Sequence, residues 1–178
     1  MKNVVIISSS PRVGGNSETL AKEFYRGAKS AGNEVEIISL RDYNLGYCIG
    51  CYACKNNGRC FQKDGMNDII EKLLDADVIV LATPVYFYSM SGQLKVFIDR
   101  LVSCYTKIKA EIYLIATMWD GDTEMMDKTF EAIRGLTRDC LEGCEEKGVL
   151  YGVGLNEKGE AGEHQEMLDQ AYEMGKNC

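Results

Sequence analysis

The sequence predicts an α/β fold: one domain built on a doubly wound, five-stranded parallel sheet with helices on both faces. Three observations lead there. Short apolar runs such as Val4–Ile7 and Val78–Ala82 read as strands buried on both faces. These runs alternate with segments of helical period along the chain, with no internal repeat, low-complexity tract or linker between them. A chain of 178 residues is one domain's worth and buries about two thirds of its unfolded surface.

The elements follow in order. Val4–Ser8 is an apolar strand closed by Ser8-Ser9-Ser10-Pro11. Glu18–Ser30 is a helix with Leu20, Ala21, Phe24 and Ala28 on one face. Glu34–Leu40 alternates as a second strand and ends at Arg41-Asp42. Met66–Leu74 is a short amphipathic helix opened by acidic Asp64, and Val78–Ala82 is the third strand. Ser91–Ser103 is helical, with Leu94, Phe97, Ile98 and Leu101 inward and Asp99-Arg100 as a C-terminal charge pair. Glu111–Thr117 is the fourth strand. Thr123–Glu145 reads as a long helix whose acidic end, Glu142–Glu146, faces solvent. Val149–Val153 is the fifth strand, and Gly162–Gly175 is a closing helix.

Composition narrows the function classes. Twenty basic against 27 acidic residues give a net charge of −7, with no basic run, which disfavours nucleic acid and anionic membranes as partners. No apolar stretch approaches the roughly 20 residues that span a bilayer. Met1-Lys2-Asn3 runs directly into a strand, too short for a signal segment, so the expected compartment is the cytoplasm. A reducing compartment argues against a disulfide framework for the eight cysteines.

Of the common orders for five such strands, the flavodoxin-like 2-1-3-4-5 puts its ligand crevice between the carboxyl ends of strands 1 and 3. The two prolines of the chain, Pro11 and Pro84, stand in the loops that border it, where each is expected to stop a strand. The first loop, Ser8-Ser9-Ser10-Pro11-Arg12-Val13-Gly14-Gly15-Asn16-Ser17, opens a helix. Free N–H groups at a helix start attract a phosphate dianion. Ser10, Asn16 and Ser17 can add side-chain donors, Arg12 can add charge, and Gly14 and Gly15 let the backbone wrap closely. The bland reading is an ordinary helix cap with flexible glycines. Neither the nucleotide-hydrolysing P-loop nor the Gly-x-Gly-x-x-Gly fingerprint is present.

Ser-x-Pro-Arg-x-x-Gly-Asn-Ser after the first strand resembles the phosphate loop of flavodoxin-like NAD(P)H-dependent FMN reductases. Thr83-Pro84-Val85-Tyr86-Phe87-Tyr88-Ser89-Met90-Ser91-Gly92 and the helix ending in Phe97-Ile98-Asp99-Arg100 are similar to the same family's Pro-Val-Tyr loop. The resemblance covers most of residues 1–120 and departs only in opening the first loop with Ser8-Ser9 rather than Gly-Ser. It implies a single FMN-binding domain over 1–178, with Ser8, Ser10, Arg12, Asn16, Ser17, Pro84, Val85, Tyr86, Phe87 and Ser89 at the cofactor. An isoalloxazine ring needs an apolar or aromatic floor and backbone donors, which Pro84–Tyr88 can supply. Trp119, after strand 4, either walls the flavin or lies on the surface.

The segment from Cys48 through Cys51 and Cys54 to Cys60 reads C-x2-C-x2-C-x5-C, inside a cysteine-rich loop at 46–65. Three thiolates spaced three apart can face one cubane, and the fourth can close it. The spacing matches the iron–sulfur flavoprotein family, in which a [4Fe–4S] cluster exchanges electrons with FMN. Free or redox-active thiols and a zinc site are the competing readings. His164 is the single histidine, so a metal site would rest on thiolates or carboxylates. Cys140 and Cys144, on one expected helix face, read as core. Without a Gly-x-Ser-x-Gly elbow, a hydrolase triad around His164 is disfavoured.

The expected activity is an FMN-dependent oxidoreductase, with NAD(P)H as co-substrate and a flavin, quinone or similar molecule as acceptor. The alternative is an electron-transfer module between a ferredoxin-like partner and an acceptor. The resemblance also implies a homodimer or higher homo-oligomer. A signalling receiver of the same fold would need acidic residues where Ser8-Ser9-Ser10 and Thr83-Pro84 stand.

Overall fold

Burial of β1 (Asn3–Ser8) on both faces places it inside the sheet, with Val5 and Ile7 facing one core and Val4 and Ile6 the other. A computed structural model describes residues 1–178, the side chain of Asn57 excepted. β2 (Glu34–Ser39) pairs with β1 in parallel from Asn3↔Glu34 to Ser8↔Ser39. β3 (Val78–Tyr86) pairs on the other side of β1, from Val4↔Val78 to Ser8↔Ala82. β5 (Glu111–Thr117) follows on β3, and β6 (Glu145–Gly152) on β5. The sheet therefore runs β2-β1-β3-β5-β6, and a two-residue β4 (Ser89–Met90) turns back antiparallel on β3. Without β4 the order is the expected 2-1-3-4-5. β2 and β6 are the edges, and their exposed positions carry Glu34, Glu36, Glu145, Glu146 and Lys147.

Helices cover both faces. α1 (Asn16–Ser30) and α6 (Gln165–Lys176) lie on one side, where Leu20, Ala21, Phe24, Ala28 and Ala171 join Val4, Ile6, Val80 and Ile115. The two helices touch through glycines: a Cβ on Gly27 would stand 2.0 Å from the Tyr172 carbonyl oxygen, and one on Gly175 2.0 Å from that of Phe24. α3 (Met66–Leu74), α4 (Gly92–Arg100) and α5 (Thr123–Thr137) cover the other face, with Ile69, Leu73, Leu94, Phe97, Phe130 and Ile133 packed on Ile7, Leu81 and Leu114. α2 (Cys54–Asn57) is one turn inside the cysteine loop. No helix among the described residues is long and apolar enough to cross a membrane.

Several sequence expectations are corrected. The long helix stops at Thr137 rather than Glu145, and the last strand starts at Glu145 rather than Val149. Gly143, at φ +86, makes the reversal that a continuous helix could not. Glu145 and Glu146 are thus the polar start of an edge strand, and Glu146 meets Arg134 at 2.7 Å. α1 begins at Asn16, two residues earlier than its apolar face suggests. The closing helix begins at Gln165 rather than Gly162, after a 3-10 turn at Glu160–Glu163. Pro84 does not end its strand: β3 continues to Tyr86. Pairing with β1 stops at Ala82, so Pro84 sits where β3 has one fewer neighbour and a missing N–H is tolerated.

Candidate functional site

The strand order brings the loops after β1 and β3 side by side. There a cavity of about 240 Å³ is lined by Ser10, Arg12, Gly15, Asn16 and Ser17 from the first loop and by Pro84, Val85 and Tyr86 from the end of β3. Thr117 at the end of β5 and Met118 and Trp119 beyond it, with Leu155, Asn156 and Lys158 after β6, complete the wall. Eight of the sequence-expected residues therefore meet in one place.

Three expected residues do not line this cavity. Ser8 ends β1 fully buried, and its Oγ has no hydrogen-bond partner among the described residues. Ser89 is spent on the hairpin, paired with Tyr86. Phe87 projects wholly into solvent at the hairpin tip. Phe87 and Tyr88 both have positive φ, at 50° and 57°. These are the two central positions of a tight hairpin turn that normally asks for Asn-Gly. Two aromatic residues in the left-handed region store backbone strain beside the cavity.

The first loop is built around its own atoms. Ser10 Oγ donates to the Arg12 carbonyl at 2.9 Å and accepts from the Arg12 N–H at 3.3 Å. A Cβ on Gly15 would stand 2.5 Å from Ser10 Oγ, so only glycine fits the curl. α1 has no side-chain cap, and the N–H groups of Asn16, Ser17 and Glu18 precede its first internal bond, Thr19 N–H to Gly15 oxygen. Ser17 is buried, and its Oγ has no hydrogen-bond partner among the described residues, although the residue lines the cavity. A buried hydroxyl left over beside open amides is the donor set that an anionic oxygen would complete. Arg12 and Lys158 add exposed cations at the rim.

Two details correct the expected roles. Asn16 is not a free donor: its amide gives a hydrogen bond to the Glu157 carbonyl at 2.9 Å and accepts one from the Ala161 N–H at 3.1 Å. That clasp brings Lys158 and Asn156 to the site, which the sequence reading missed. Gly14 does not offer its N–H to the cavity either; it donates to Glu18 Oε2 at 2.8 Å. Glu18 is buried under the loop and takes Arg41 bidentately, at 2.9 and 3.2 Å, and Lys22 at 2.7 Å. Burial alone would push its carboxyl up; Arg41, Lys22 and the Gly14 N–H outweigh burial and hold it at about 2.

A second cavity, of about 260 Å³, lies within the cysteine loop and is lined by Cys48, Cys51, Cys54 and Cys60 together. Cys54 is buried, Cys51 is exposed, and Cys48 and Cys60 lie between; all are free thiols. Among the described residues no three of these sulfurs converge as a metal site. The donor set, four soft thiols around one cavity, still suits an iron–sulfur cluster. The loop turns through Gly50, Tyr52 and Gly58, all with positive φ. In the sequence Asp99-Arg100 is a charge pair at a helix C-terminus, and the two residues part company in the structure. Asp99 is at the surface against Lys95, but Arg100 is 2 % exposed and faces this cavity. Burial would lower the pKa of Arg100; hydrogen bonding and charge from Asp64, with Cys60 alongside, raise it above the usual arginine value.

Comparison with known proteins fits this geometry. A model of the NADPH-dependent FMN reductase family matches residues 2–130. An iron–sulfur flavoprotein of Methanocaldococcus jannaschii is 44% identical over 97 residues, covering 54% of this chain and 50% of that protein. The chain thus aligns with about half the length of the curated relatives it matches. In fold it is similar to an NAD(P)H:quinone oxidoreductase from Methanothermobacter marburgensis, with a TM-score of 0.75 at 18% identity over 99% of this chain and 96% of the other. An FMN-dependent NADH-azoreductase from Bacillus anthracis, solved in complex with FMN, is also similar, with a TM-score of 0.68 at 14% identity over 98% of each chain. From the family match over residues 2–130, well over half of the sequence, the chain belongs to the NADPH-dependent FMN reductase family.

Proposed function

We propose that the chain is an FMN-dependent oxidoreductase that draws electrons from NAD(P)H and passes them to a flavin, quinone or similar acceptor. One observation carries this reading: the cavity joins open helix-start amides and the unpartnered Ser17 hydroxyl to an apolar strand end. Ser17, the open amides at the start of α1, Arg12 and Lys158 would hold the FMN phosphate, with the Ser10 hydroxyl spent on shaping the loop, while Pro84, Val85, Tyr86 and Trp119 would flank the ring. Held there, FMN would supply the hydride and electron chemistry between NAD(P)H and the acceptor. The protein's own part is orientation and exclusion of water. Exposed Phe87 and Trp119 lie at the same end of the sheet, and a homodimer or higher homo-oligomer is the assembly we assign to that end. Eight free thiols suit the cytoplasm as its compartment.

A second reading, an electron-transfer module, is favoured by the four cysteines around one cavity and by the relatives named iron–sulfur flavoproteins. Cys48, Cys51, Cys54 and Cys60 would hold a [4Fe–4S] cluster, which supplies one-electron steps. One anaerobic sample separates the readings. FMN uptake with rapid bleaching by NADPH or NADH supports the reductase, and about four iron and four sulfide per chain supports the module. Protein that takes up no FMN on titration would falsify both.

A further inference from the structure

The cysteine loop is closed at its neck by a buried cation that neither reading uses. Arg100 ends α4, and its side chain is only 1% exposed. Its Nη1 donates to the Gly46 carbonyl at 2.6 Å, to Asp64 Oδ2 at 2.7 Å and to Gln62 Oε1 at 3.3 Å. Its Nη2 donates to Asp64 Oδ1 at 3.1 Å. Asp64 also accepts the Gly46 N–H at 3.0 Å, and the Gln62 amide donates to the Tyr47 carbonyl at 3.2 Å. The residues where the loop departs and those where it returns are thus tied to one guanidinium and to each other. All four cysteines of the motif lie between these two feet.

A buried ion pair is a costly way to close a loop, because both charges give up their water. Arg100 has a further feature that loop closure does not explain. Its Nε is buried and has no hydrogen-bond partner within bonding geometry among the described residues, while the residue lines the thiol cavity together with Cys60, whose thiol acts on the guanidinium through hydrogen bonding and charge. A buried donor without an acceptor is expensive unless an acceptor arrives.

We propose that Arg100 is the positioning residue of the four-cysteine site: it clamps the neck so that the thiols face one cavity, and its spare Nε–H awaits sulfur of the group bound there. The second part rests on the iron–sulfur reading; the clamp does not. Lysine cannot replace it fully, since an ammonium lacks the planar fork that spans Gly46, Gln62 and both Asp64 oxygens.

The test uses FMN-loaded protein and the variants Arg100→Gln, Arg100→Lys and Asp64→Asn. Cobalt(II) is titrated anaerobically and followed by its thiolate charge-transfer absorption. FMN affinity serves as the control for folding, because the FMN cavity contains none of these residues. Arg100→Gln is expected to weaken cobalt at least tenfold while FMN affinity stays within twofold. If Arg100→Gln fails to fold, Asp64→Asn, which keeps the shape and removes the countercharge, must show the same loss. Cobalt affinity within twofold of the parent in a folded variant overturns the clamp, as does a parent chain that binds no cobalt. After reconstitution with iron and sulfide, Arg100→Lys is expected to shift the cluster potential downward, because hydrogen bonds to sulfur raise it. An unchanged potential overturns the role of Nε. A parent that binds cobalt but no iron and sulfide removes the cluster reading and the role of Nε, and leaves the clamp supported.

Discussion

Replacing Glu18 by Gln tests how the first loop is held. The carboxyl is 4 % exposed and serves Arg41, Lys22 and the Gly14 N–H at once. Its pKa falls from 4.5 to about 2 on folding. At 1.36 kcal/mol per pKa unit, that difference contributes about 3 kcal/mol of stability at neutral pH. Because the folded pKa is the lower one, the contribution is complete above about pH 4.5 and disappears as pH falls toward 2. Glu18→Gln keeps the shape and loses the charge. For a chain of this size 1 kcal/mol is worth about 2–4 °C, so the midpoint should drop by about 6–12 °C at pH 7. Thermal unfolding followed by circular dichroism at pH 7, 5, 4 and 3 measures it. The gap between parent and variant should narrow steadily below pH 4.5. A gap under about 1 °C at pH 7, or one that stays constant down to pH 3, refutes the reasoning.

Other substitutions probe other parts of the same account. Ser17→Asp sets a carboxylate at the proposed phosphate position, and should weaken FMN at least tenfold, about 1.4 kcal/mol, in a fluorescence titration; unchanged affinity would move the phosphate elsewhere. Gly27→Ala forces a methyl to within 2.0 Å of the Tyr172 oxygen and should cost about 1–3 kcal/mol in a denaturant melt. Gly135→Ala, in α5 with nothing within 4 Å of the added methyl, should gain about 0.5–1 kcal/mol. Phe87→Asn combined with Tyr88→Gly gives the hairpin its preferred turn pair and should raise stability by about 1 kcal/mol, less what the contact of Lys128 with the Tyr88 ring contributes; a lower melting temperature would show that the tip carries little strain.

The sheet was legible because its inner strands are apolar on both faces and are bounded by loop residues; Val4–Ile7 and Val78–Ala82 admit little else. The edge was harder. Glu145–Lys147 is charged because one side of β6 has no neighbour, and charge at the end of a helical pattern reads as more helix. β4 has two residues and exists only because Phe87 and Tyr88 accept left-handed angles, a cost that no composition rule anticipates. In the site, the loops after the first and third strands were found from topology alone. Lys158 and Asn156 were not, since their approach depends on Asn16 clasping a segment 141 and 145 residues away. Arg100 was missed for a simpler reason. A basic residue at a helix end normally reaches water, and only its partner Asp64, 36 positions earlier, brings it inside.

The carboxylates along both rims of the sheet have a consequence for assembly. Glu34 and Glu36 stand on one outer strand, Glu145 and Glu146 on the other. A neighbouring molecule adding its own strand side by side would have to set its edge against these charged and ion-paired side chains, which disfavours lateral growth into fibres at both margins. Any contact between copies would then have to use a surface other than these two edges.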